Sequence, residues 1–163
     1  MSEDHLRVAS YNLLFVCTGN TCRSPMAAAI ARAAVARRGW SHVRVASAGV
    51  AAAPGSPASE PVIPVLEEEG IELGEHEARS LTPDLIEWAD SILVMGPAHL
   101  SAVEALGGGD KAALVTEFLE GDEGGMPVSD PIGGTLDVYR RTRGQLVRAV
   151  DAVLDRLEPI LAP

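Results

Sequence analysis

Apolar residues fall along this chain in short blocks separated by polar, Gly- and Pro-bearing stretches, and the blocks alternate in kind. Leu13-Leu14-Phe15-Val16 has the length and apolarity of a buried strand. It runs into a short Gly-containing loop and then an Ala-rich segment, Ser24 to Arg38, with Pro25 near its start and Gly39 at its end. This reads as a helix, because proline is tolerated in a first turn and glycine favours the position just past a last one. Val43 to Ser47 reads as a second strand, and strand, helix and strand together predict a right-handed βαβ unit.

The alternation continues. Residues 50–58 form a Pro/Gly loop, after which Ser59 and Glu60 can cap a helix reaching about Glu69, ended by Gly70. Ile71 to Leu81 is irregular, and Thr82-Pro83-Asp84 opens another short helix. Ser91 to Met95 is a third strand, Pro97 starts a helix to about Leu106, and Ala112 to Val115 is a short fourth strand. An acidic, Gly-bearing loop, Glu117 to Met126, leads on towards a long final helix, Leu136 to Leu157. Its apolar positions Leu136, Tyr139, Leu146, Val150, Val153, Leu154 and Leu157 fall close to helical spacing. The pattern predicts a single-domain α/β fold, a doubly wound parallel sheet flanked by helices. Residues 1–10 read as a flexible leader and residues 11–163 as the domain.

Composition narrows the choice of partner. A length of 163 residues suits one full-sized core. A net charge of −10 argues against nucleic acid or an anionic membrane. No apolar run is long enough to span a bilayer, and Met1 to Ser10 is too polar for a signal peptide. Two cysteines within one loop make no disulfide framework, which fits a reducing, cytoplasmic setting. The acidic clusters Glu67 to Glu69 and Glu120 to Glu123 lack metal-ligand spacing and read as solvated faces, so neither metal nor cofactor is expected. His5, His42 and His99 have no motif around them and read as surface residues.

Candidate chemistry concentrates between the first strand and the first helix. Unpaired N–H groups and the positive end of the helix dipole face one point there, which makes an anion site. Cys17 heads the loop and Arg23 ends it. Such a nest favours the thiolate of a cysteine placed in it, and a guanidinium fork can hold two phosphoryl oxygens. The local reading is a phosphate cradle over a nucleophile; the plainer alternative is Cys17 as a small buried apolar side chain.

The nonapeptide CTGNTCRSP resembles the C-x5-R-S/T phosphate loop of the low-molecular-weight protein tyrosine phosphatases, most closely the branch that removes phosphate from arginine. The resemblance implies strand order 2-1-3-4, with the active loop after the first strand. It implies Cys17, Arg23 and Asp130 as catalytic residues, and Thr18, Gly19, Asn20, Thr21, Cys22, Arg23 and Ser24 as the phosphate-binding loop. Asp130-Pro131 matches the family's general acid, where a bare Asp-Pro turn is the other reading. Ser24 either caps the helix, assists the Cys17 thiolate, or does both. Asn20 matches an asparagine that holds a left-handed turn. Ser47 and His76 match positions that support the loop from behind, where they read equally as satisfied polar core residues. Cys22 reads either as a redox partner of oxidised Cys17 or as a small side chain lining the loop.

Thr21 bears on the substrate. Tyrosine-directed members usually carry an aliphatic residue there, and often aromatics after the Asp-Pro, where this chain has Ile132-Gly133-Gly134. Threonine suits a guanidinium better than a phenyl face. The expected activity is therefore removal of phosphate from phosphoarginine residues through a cysteinyl phosphate, with tyrosine phosphatase as the alternative. A thiol-dependent arsenate reductase would relay electrons through cysteines further along, and none follows Cys22. A non-catalytic phosphate-binding module would lack the nucleophile or the acid. The expected partners are phosphorylated proteins, with inorganic phosphate as product and the chain acting as a monomer.

Overall fold

Four parallel strands are hydrogen-bonded in the order β2-β1-β3-β4: β1 is Tyr11–Cys17, β2 Val43–Gly49, β3 Ser91–Val94 and β4 Ala112–Leu114. The structure is a computed structural model and describes residues 9–162. Most of the leader and His5 therefore lie outside the described residues. Leu13 pairs with Val45 on one side and Ser91 on the other, so β1 is central. The apolar run of β1 divides between two faces, as the period-2 geometry of a strand requires. Leu13 and Phe15 join one core and Leu14 and Val16 the other, and all four are fully buried.

On the first face lie α1 (Arg23–Arg37), α2 (Val62–Glu67) and α5 (Leu136–Leu161); on the second lie α3 (Pro83–Trp88) and α4 (Pro97–Ala105). Alanine dominates α1, and Ala27, Ala28, Ala31 and Ala34 are buried with Met26 and Ile30, so the helix sits close against sheet and neighbours. Leu146, Val150, Val153 and Leu154 of α5 complete this core. The sheet thus carries helices on both faces, and loops gather at the carboxyl ends of the central strands, where doubly wound folds bind ligands.

Several element boundaries differ from the sequence reading. The helix after Ser59 begins only at Val62 and ends at Glu67, with no side-chain cap. The Ser59 hydroxyl is instead 3.0 Å from the Cys22 sulfur, a tertiary contact that competes with capping. Thr82 does cap α3, its Oγ1 accepting from Leu85 N at 3.2 Å. The last helix runs on through Pro159 to Leu161, which is buried. A proline so near the end forfeits one hydrogen bond, and burial of Leu161 offsets it. Leu136, read as core-facing, is 44% exposed at the first position of the helix.

Candidate active site

The loop Cys17 to Arg23 closes over the end of β1. Val50 N donates to Cys17 O and Ala51 N to Thr18 O, which fastens the loop to the end of β2. Among the described residues, none of the amides from Gly19 to Ser24 donates to a protein acceptor. Consecutive unpaired N–H groups at the start of a helix are able to act as donors to an anion. The pocket at this loop has a volume of about 140 Å³ and is lined by Cys17, Thr18, Gly19, Thr21, Cys22, Arg23, Asp130 and Ile132.

Asn20 holds the turn. Its φ of 56° is the one positive value at a non-glycine residue among those described, in a region that asparagine tolerates. The side chain is fully used: Nδ2 donates to Ser24 Oγ at 2.8 Å and Ser47 Oγ at 2.9 Å, while Oδ1 accepts from Arg79 N at 3.0 Å. His76 Nε2 lies 2.8 Å from Asn20 O. Ser24 accepts from Asn20, so its single proton is free for a further acceptor, and the Cys17 sulfur at 2.9 Å is the nearer one. The Ser24 hydroxyl therefore faces the thiol and does not cap α1, whose start has no side-chain cap.

The Arg23 guanidinium is 8% exposed at the residue level and is held at three points. Nη1 donates to Val128 O at 2.9 Å, Nη2 lies 3.4 Å from Thr18 Oγ1, and Nη2 is 3.7 Å from Asp130 Oδ2. The Asp130 carboxylate caps its own turn by accepting from Ile132 N at 3.1 Å, and its side chain is 45% exposed. Asp130-Pro131 is thus a turn, and its carboxyl side chain lines the pocket. Ile132, 62% exposed, forms one wall.

Contacts the sequence did not point to complete the surroundings. Cys22 Sγ lies 3.0 Å from Ser59 Oγ and 3.4 Å from Tyr139 OH. Burial and the bond to Cys22 push the Tyr139 phenol up to about 12. The surface assignment of His99 is overturned: it is 4% exposed, and its Nε2 lies 2.8 Å from Thr18 Oγ1. Burial, and then the Arg23 cation, lower its pKa, with Asp130 opposing. The usable signal was positional. His99 lies in the first turn after β3, and neighbouring parallel strands deliver their following helices to the same end of the sheet. His42 is half-buried. Among the described residues no group of His, Cys, Asp and Glu could hold a metal ion, and no helix is long and apolar enough to cross a membrane.

A doubly wound sheet of this order, with a cysteine, an arginine and an aspartate converging on a phosphate-sized nest, defines the architecture of a cysteine-based phosphatase. The sequence profile of the low molecular weight phosphotyrosine protein phosphatases matches residues 12–159, and the chain belongs to that family. A protein-arginine-phosphatase of Geobacillus stearothermophilus is 40% identical over 153 residues, covering 91% of this chain and 97% of its own. Etp, a low molecular weight protein-tyrosine-phosphatase of Escherichia coli, is 32% identical over 148 residues, covering 90% and 94%. A solved structure of the YwlE arginine phosphatase, a cysteine-to-serine mutant with a phosphorylated active-site serine, superposes with a TM-score of 0.83 at 36% identity, covering 90% and 95%.

Proposed function

We propose that this protein removes phosphate from phosphoarginine residues of other proteins through a phosphorylated Cys17. The observation that carries the reading is the junction of the free loop amides with the Cys17 sulfur and the Arg23 fork in one small nest. Three phosphoryl oxygens need several donors in a fixed array, and preorganised donors stabilise the charge that develops in transfer. Cys17 attacks phosphorus, and Asp130 protonates the departing guanidine nitrogen. Asp130, now a carboxylate, then deprotonates the water that releases inorganic phosphate. Ser24 donates to the Cys17 sulfur and so stabilises it as the leaving group of the second step.

Arginine over tyrosine is supported by Thr21 on the pocket wall, by Ile132 in place of an aromatic clamp, and by the likeness to protein-arginine-phosphatases. Once it has given up its proton, the Asp130 carboxylate also pairs with the departing guanidinium. Two free cysteines fit a reducing compartment such as the cytoplasm. The test is a parallel assay of phosphoarginine and phosphotyrosine proteins with the wild type, Cys17→Ser and Asp130→Ala. We expect faster release from phosphoarginine, no turnover by Cys17→Ser with phosphate binding kept, and Asp130→Ala impaired most where the leaving group needs a proton. Faster turnover of phosphotyrosine would hand the substrate to the tyrosine reading with the same residues in the same roles.

A further inference from the structure

His99 is a buried titratable group that the mechanism above leaves idle. It is the third residue of α4, contributed by a different strand–helix unit from the one that builds the cradle. Its Nε2 lies 2.8 Å from Thr18 Oγ1, and the same oxygen is 3.4 Å from Arg23 Nη2. Its Nδ1 is buried and has no partner.

The donor count at Thr18 fixes the direction of this chain. A hydroxyl has one proton and two lone pairs, and a guanidinium nitrogen only donates, so Thr18 Oγ1 accepts from Arg23. Were Thr18 also to give its proton to Nε2, the imidazole would carry its own proton on Nδ1, buried with no acceptor. The other tautomer donates from Nε2 to Thr18 and leaves only an unused lone pair at Nδ1. An orphaned buried N–H is the costlier defect. His99 therefore donates, and Thr18 Oγ1 receives from both sides. Its own proton is left free at the pocket wall, which Thr18 lines. Burial and the neighbouring Arg23 favour the neutral ring, in keeping with this single tautomer.

We propose that His99 is a positioning residue for the phosphatase reaction, orienting the Arg23 guanidinium through the Thr18 hydroxyl. Val128 O anchors Nη1 at 2.9 Å, and the Thr18 oxygen supplies the second anchor, at Nη2. Two hydrogen-bonded anchors on two nitrogens set the plane of the fork, whereas Val128 O with only the longer 3.7 Å contact to Asp130 would let it swing. The orientation of that plane decides whether the remaining N–H groups meet two phosphoryl oxygens together or one at a time. This inference rests on the reading of Arg23 as the phosphate-binding fork.

The test measures inorganic phosphate binding by calorimetry, which does not depend on turnover. His99→Phe fills the space without a donor, His99→Gln keeps an amide N–H of similar reach, and Thr18→Val removes the relay. We expect His99→Phe and Thr18→Val each to weaken phosphate binding by about five- to tenfold, roughly the net worth of one ordinary hydrogen bond. The double variant should be no weaker than the worse single, and His99→Gln should recover most of the affinity. A histidine that merely fills space would be replaced by Phe without loss. Equal losses in Phe and Gln, or losses that multiply in the double variant, would also overturn the relay. Thermal unfolding of each variant confirms that binding is read on folded protein. A wild type that binds phosphate but spares phosphoarginine would overturn the proposed substrate and leave the His99 result to be judged by itself.

Discussion

Asn20 and Thr21 are adjacent, yet they were readable from the sequence to different depths. For Asn20 the family resemblance implied the left-handed turn, and the structure added the reason for asparagine over glycine: three side-chain bonds tie the loop to Ser24, Ser47 and Arg79. Glycine would keep the backbone and lose all three. Thr21 carries no such structural duty. Its hydroxyl makes only a long 3.9 Å contact with the Cys22 sulfur, and its side chain borders the pocket, so it is free to act on selectivity. Replacing Thr21 by Ile adds aliphatic bulk that packs on a ring but crowds a guanidinium. A methylene-scale change in a pocket is worth about 1–3 kcal/mol, so the preference should move towards phosphotyrosine by about ten- to two-hundredfold. The check is opposite changes in kcat/KM for the two substrates, with alkylation of Cys17 by a small reagent unchanged. A common fall in both would assign Thr21 to loop integrity instead.

Among the elements, β2 backs the loop and α2 leads into the clasp on α5. The last residue of β2 is Gly49, where a Cβ would stand 2.5 Å from Thr18 O and 3.0 Å from Asn20 N. The cradle therefore rests on a bare stretch of backbone. Gly49→Ala cannot be absorbed by a side-chain rotation and must displace the loop. We expect a stability loss of about 2–3 kcal/mol in urea unfolding, in the range for overpacking, together with a larger fractional loss of kcat than a remote variant of equal stability shows. At the far side, Glu68, just past α2, clasps α5 by accepting from Arg140 Nε at 3.0 Å and Arg143 Nη1 at 2.6 Å. These bonds lower the Glu68 carboxyl to about 2 from an ordinary 4.5. A depressed carboxyl stabilises the fold above its unfolded pKa, and the contribution is lost as pH falls through the folded one. The Tm gap between wild type and Glu68→Gln should thus be constant near neutrality and shrink between about pH 4.5 and 2. A gap independent of pH would mean that the clasp acts through packing alone. Arg140 and Arg143 fell outside the sequence reading because charged residues on a long helix look alike until their partners are known.

The molecule as a whole carries a net charge of −10, which suits the guanidinium of the proposed substrate, whereas the proposed site has to hold an anion. The overall field attracts a basic peptide, and Arg23 with the loop amides provides the local reversal that the phosphoryl group needs. We expect kcat/KM for a lysine-rich phosphoarginine peptide to fall as salt screens this field, and that for an acidic peptide to rise. Identical salt profiles would remove steering from the account. The sequence by itself determined the alternation of strands and helices and the loop from Cys17 to Arg23, because both are written in neighbouring residues: a breaker, an apolar run, a glycine in a short loop. The strand order had come only with the family resemblance, since local pattern does not say which strands pair. Tertiary structure alone decided where chemistry from distant segments converges. It drew the hydroxyl of Ser59 away from capping, buried Tyr139 against Cys22, and turned His99 from an isolated surface histidine into a neighbour of Thr18. Side-chain hydrogen bonds across 37, 117 and 81 residues leave no periodicity behind, and only the place of His99 just after β3 hints at one of them. They arise because a parallel sheet carries the ends of separate strands, and whatever follows each, to one common edge.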